Sequence, residues 1–210
     1  MFDLWHFILF LSAAGVLALM PGPGIFYVAA RTLAGGRGEG LASSFGTGLG
    51  GLVHIVGGAI GVSAIVMASA EAFTTLKIVG ALYLVWLGIK TWREAGATPE
   101  FGNSPAIGAR RAFKEGVVVE ALNPKTAAFF LAFLPQFVAP GEGHVALQFI
   151  VLGAISVALN TAVDVVVTYA ASAVRDRLAA RPLIIRRMRQ GSGAILCALG
   201  ATLAMAKRPV

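Results

Sequence analysis

Two residues in this sequence stand where ionisable side chains are costly. Lys125 lies inside the apolar stretch "EALNPKTAAFFLAFLPQFV", and Asp164 lies inside "SVALNTAVDVVVTYA". An unpaired charge at the centre of a hydrocarbon layer costs about 2.5–3.5 kcal/mol on insertion scales, so such residues face an interior and take a partner. The expected pair is Lys125 with Asp164. Asn123 and Asn160 are its neutral hydrogen-bonding neighbours, Asn160 being one helical turn from Asp164. Such a group could bind a small solute or move a proton. It could equally be a structural ion pair locking two helices, or Lys125 could snorkel to the interface. Glu120 is expected nearer a membrane surface, as a solvated carboxylate.

Backbone chemistry accompanies these side chains. Pro124 has no N–H, so it frees the carbonyl of Glu120, and Pro135 frees that of Leu131. In "LALMPGPGIFYV", Pro21 and Pro23 free the carbonyls of Leu17 and Leu19, while Gly22 and Gly24 let the chain unwind. Within lipid, such breaks survive only where protein or a water-filled cavity covers the exposed groups. One reading is a broken helix whose free carbonyls face a solute cavity; the plainer one is a kink or the end of a span. His54 interrupts a row in which Gly46, Gly50 and Gly58 recur every four residues. The glycines read as a helix-packing stripe. His54 is either a proton relay working near neutral pH or a buried neutral ring.

The elements that must position these residues are helices in a membrane. Apolar residues make up 57% of the 210 residues and charged residues 13%, against about 25% charged in soluble domains. Mean hydropathy is +0.80. Six apolar segments, roughly 4–30, 41–68, 72–91, 111–137, 145–173 and 184–206, are each long enough to cross as a helix. The first lacks a basic leader and is read as a retained span, not a signal peptide. The fold class is therefore an all-α integral membrane protein with six transmembrane helices, the first and fourth broken by proline.

Orientation follows from the basic residues. Thirteen of the 17 Lys and Arg side chains fall in segments 31–40, 90–114 and 174–190; only Lys77, Lys207 and Arg208 fall on the opposite side. The positive-inside rule places those three loops in the cytoplasm and both termini in the periplasm. The same clustering between apolar runs explains the net charge of +7 without nucleic acid. The Gly- and Pro-rich stretch at about 93–110 divides one transmembrane domain, 1–210, into halves of about 1–92 and 110–210. Three spans per half would make an inverted repeat, with "MPGPG" and "LNPKT" as matching breaks. Glycine-rich faces permit a homodimer.

Other chemistries lack their residues. Cys197 is the single cysteine, and His6, His54 and His144 lie far apart, so neither a disulfide nor a metal site is expected. No nucleophile elbow, zinc-protease or phosphate-loop motif is present, so no enzyme, cofactor or ATP site is expected. Uphill transport would then need an ion gradient.

The motifs resemble those of the lysine exporter family of bacterial amino-acid exporters, closest to its homoserine/threonine resistance (RhtB-type) branch, which is homoserine, threonine or leucine efflux-like. The resemblance runs through "PGPG", "LKIVGALYLVWLGIKTWR", "NPKTAAFFLAFLPQFV", "VDVVVTYAASAVRDRL" and "GSGAILCALGATLA" in order, nearly end to end. The Asn-Pro-Lys and Pro-Gln-Phe segments are its most specific parts. It implies an inner-membrane exporter of amino acids or related metabolites, driven by the proton gradient through alternating access. On that expectation Pro21, Gly22, Pro23, Gly24, Asn123, Pro124, Lys125 and Asn160 bind the solute, and Asp164 with His54 couples protons. The solute carboxylate would lie near a half-helix N-terminus or Lys125, and its ammonium near freed carbonyls or Asp164. A passive channel or small-ion transporter would use the same broken helices.

Overall fold

A computed structural model describes residues 4–68, 70–96, 105–173 and 182–205. Its regular structure is helical, with no strand among the described residues. The helices are α1 (Leu4–Leu19), α2 (Pro23–Ala68), α3 (Ala70–Arg93), α4 (Ala109–Ala121), α5 (Pro124–Ala128), α6 (Val145–Ala173) and α7 (Pro182–Met205). After α5 the chain runs through a π turn, Phe129–Phe133, and a 3-10 turn, Leu134–Phe137.

Local chemistry sets the boundaries. α1 ends where Pro21 and Pro23 withdraw two N–H donors, and the Met20 amide still reaches Val16 O at 3.1 Å. Pro23 then opens α2 at the position where its missing N–H costs nothing, and Phe26 N closes the first turn on Gly22 O at 2.9 Å. α3 ends with Lys90 and Arg93 in its last turn, where the helix dipole favours cations. Asn123 caps α5, its side chain accepting from Lys125 N, with Pro124 in the first turn.

Packing joins the two halves of the sequence. α2 runs along α4 and α6, α3 along α7, and α1 against α6. One apolar core, around Phe10, Phe129, Phe130 and Phe149, fills the space between α1, α2, α6 and the turns after α5. A second, around Met20, Leu84, Ala132 and Leu196, lies under α3 and α7. Large apolar side chains such as Trp5, Val56, Ile60, Leu82, Leu122 and Val166 point outward, while Thr32, Ser43, Ser44, Thr47, Ser156 and Thr168 are buried. A chain that hides hydroxyls and displays aliphatics is built for a hydrocarbon solvent. Helices Pro23–Gly61 and Val145–Ala173 are each long and apolar enough to cross a membrane, and Ala109–Ala121 with Pro124–Phe137 makes a third, bent by 40°.

The reading of the first loop fails. Residues 31–40, expected as an aqueous loop, are helical on both sides of a single break at Gly36, with φ 76° and ψ −169°. Only glycine adopts that conformation without strain. Arg37 is exposed, but Arg31 and Glu39 turn into the protein. Glu39 is buried, and its Oε1 accepts from the amides of Ile107 and Gly108, each at 2.7 Å. Arg31, also buried, donates to Pro105 O at 3.2 Å and lies 3.8 Å from Glu39 Oε2. Together they pin the segment ahead of α4 onto the α2 kink. Glu39→Ala removes two charge-assisted bonds and strands Arg31, so a loss of about 1.5–3 kcal/mol is expected. Hydrogen exchange at Ile107 and Gly108 checks it: both amides lose protection in the variant.

Candidate functional site

The two helix breaks, Met20–Gly22 and Leu122–Asn123, meet through Lys125. Its Nζ donates to Leu17 O at 3.1 Å and to Met20 O at 2.9 Å. Leu17 O lies in the last turn of α1 and also takes the Met20 amide at 3.2 Å, while Met20 O lies in the break just beyond, both at the negative end of the helix dipole. Lys125 is 5% exposed. Its stem lies along Gly22, where an added Cβ would come 3.2 Å from Lys125 Cδ and Cε.

The expected Lys125–Asp164 ion pair is not formed. Asp164 Oδ2 accepts instead from Thr47 Oγ1 at 2.8 Å, and the ammonium stays on the α1 carbonyls. Both side chains nevertheless line one small cavity of about 20 Å³, together with Gly24, Glu120, Asn123 and Asn160. That is room for about one water. Asn160 Nδ2 donates to Ser156 O at 2.9 Å.

Glu120 is the residue the sequence misplaced. Expected in solvent, it is buried. Its Oε2 accepts from Asn123 Nδ2 at 2.8 Å and its Oε1 from Thr126 Oγ1 at 2.6 Å. Asn123 thus caps α5 with its oxygen and holds a carboxylate with its nitrogen. The i, i+3 spacing of Glu120 to Asn123, one turn before a proline, was the available signal. Thr47 and Thr126 were missed because buried hydroxyls within apolar helices usually bond only their own backbone.

His54 does not reach Asp164. Its Nε2 lies 2.8 Å from the Glu120 carbonyl oxygen, which only accepts, so Nε2 carries the proton. This is the carbonyl that Pro124 leaves without its helical partner; Asn123 N also bonds it, at 3.0 Å. His54 thus braces the backbone of the second break.

A larger cavity, about 360 Å³, lies on the α3–α7 side of the breaks. Pro21, Gly22, Pro23, Pro124 and Lys125 border it with Lys90 and Glu94. Lys125 lines both cavities. Gly24 shows how closely the site is built, because an added Cβ would come within 2.6 Å of Glu120 Oε2. Gly24→Ala is therefore expected to push that carboxylate off Asn123. Thermal unfolding should move down by the worth of one charge-assisted bond, about 1.5–3 kcal/mol, with the protein still folded by size-exclusion chromatography.

A match to the LysE type translocator family covers residues 15–207. The chain belongs to this family. The translocator is 33% identical over 208 residues to the homoserine/homoserine lactone efflux protein of Salmonella typhimurium, covering 97% of each chain. It is 34% identical over 205 residues to a membrane protein of Vibrio cholerae, covering 98% of this chain and 99% of that one. It is 29% identical over 139 residues to the leucine efflux protein of Klebsiella pneumoniae, covering 65% of each. No solved structure matches the translocator. Among the described residues, no cluster of His, Cys, Asp and Glu could hold a metal ion.

Proposed function

We propose that this translocator exports small amino-acid-like solutes across the bacterial inner membrane, driven by proton entry through alternating access. One observation carries the reading: two buried carboxylates and one buried lysine border a small cavity at the meeting point of two broken helices. Ionisable groups placed so deep are costly unless they are used. Two relatives named as efflux proteins for homoserine, homoserine lactone or leucine support the solute class.

In this reading six spans form two inverted halves in a single domain, with both termini periplasmic, and two copies can pair through glycine-rich faces. Pro21 to Gly24, Asn123, Pro124, Lys125 and Asn160 form the solute site. Asp164 takes up and releases the proton, Glu120 supports it, and His54 holds the break that presents Lys125. A cavity with room for about one water favours alternating access over an open passive channel.

The test is efflux of a panel of amino acids from loaded cells or inverted vesicles, with and without an uncoupler. Movement of one or a few that stops on uncoupling is the expected result. Movement indifferent to the uncoupler would make the protein a channel, and no movement of any panel member would remove the solute class.

A further inference from the structure

We infer that the Lys125 ammonium sits, in this conformation, in the berth of the exported solute's own ammonium group. The inference deepens the exporter reading and rests on it for the identity of the solute. It makes Lys125 an occupant of the solute site, where the sequence suggested a partner for the solute carboxylate.

The berth is formed by Leu17 O and Met20 O, 3.1 and 2.9 Å from Lys125 Nζ. Two carbonyls at the negative end of a helix, beside a backbone that carries no side chain at Gly22, form a receptor for a primary ammonium on an aliphatic stem. Nothing in it is specific to a lysine of the same chain. A second feature points the same way. Glu120 and Asp164 border the cavity that Lys125 lines, yet their oxygens take hydrogen bonds from Asn123, Thr126 and Thr47 and none from the ammonium. A displaced Lys125 therefore has carboxylates to move towards. A third feature supplies the approach. Pro21, whose peptide bond carries the Met20 carbonyl, lines the 360 Å³ cavity together with Gly22 and Lys125. A solute entering from the α3–α7 side meets the berth already filled.

Solute ammonium and Lys125 then exclude each other at the α1 carbonyls. Displacement sends the lysine charge towards Glu120 and Asp164, so loading the solute changes the electrostatics of the groups proposed to carry the proton. A quaternary nitrogen has no N–H to give either carbonyl and is refused.

The berth is tested without knowing the solute. Purified full-length Lys125→Ala, and Lys125→Gln which keeps most of the stem, are titrated with ethylammonium chloride while thermal unfolding is followed. Tetramethylammonium chloride is the control. A saturable rise in Tm with ethylammonium alone, in the variants and not in the wild type, is expected. No saturable rise in a folded variant, or an equal rise in the wild type, overturns the berth. A second measurement uses only wild-type protein and does not depend on either variant folding. The Nα-trimethylated form of an exported amino acid should inhibit its efflux at least about tenfold more weakly than the unmodified amino acid, the loss of one charge-assisted bond. Equal inhibition overturns the proposal. If no amino acid is exported at all, the exporter reading fails, while the ethylammonium titration still decides the berth.

Discussion

Asp164→Asn should abolish uncoupler-sensitive export while solute exchange at zero gradient continues. The side chain is 5% exposed and its Oδ2 accepts one bond, from Thr47 at 2.8 Å. Asparagine has nearly the same shape and keeps an oxygen for Thr47, so the helix packing stays in place. What it loses is the ability to bind and release a proton. Exchange needs only a site that loads and reorients, whereas net uphill movement needs the proton step as well. Gradient-driven efflux from proteoliposomes with an imposed pH difference should fall roughly a hundredfold, within the range that removing one proton-transfer group produces. If the variant keeps full gradient-driven efflux, Asp164 is not the coupling group.

The second large effect concerns stability. A Cβ on Gly46 would overlap Phe113 O, and one on Gly50 would overlap Val117 O. Both obstacles are backbone atoms of α4, which cannot rotate away as a side chain would. Gly46→Val or Gly50→Val must therefore separate α2 from α4, at a cost of about 3 kcal/mol. The lost contact also carries Glu120, so the site would fail together with the fold. Gly57 lies on the same helix with nothing near its missing Cβ. Gly57→Ala should be neutral or stabilising by up to about 1 kcal/mol, since alanine loses less backbone entropy in a helix. Thermal unfolding in detergent separates the two outcomes: a lowered transition for the first two variants and none for the third.

How much was legible depended on what kind of group did the work. Long apolar runs were read closely; the segment 145–173 is the helix Val145–Ala173. Proline breaks were legible for the same reason, because a missing N–H is a property of the residue itself. The break at Gly36 was not. There Arg31 and Glu39 looked like residues seeking water, and their true partners are each other and backbone amides some seventy residues away. Lys125 stood out in the sequence through its depth in an apolar run alone. Its partners escaped, because every residue owns a carbonyl and no residue type announces that its oxygen will be free and facing. Pro21 pointed correctly to Leu17, yet the second acceptor is Met20 where Leu19 was expected. Glu120 was misjudged because charge suggests a surface, while Asn123 and Thr126, three and six residues on, supply what water would have given it.

On the proposed export reading, the size of the small cavity would limit speed. A space of about 20 Å³ admits a water and no organic solute. Each molecule carried would then require the helices to part and close once, and motions of that class take microseconds to seconds. Throughput per copy would then be capped by the protein's own clock, however steep the gradient. A cell needing faster clearance would have to make more copies, so gene dosage, more than driving force, would set how much solute it tolerates.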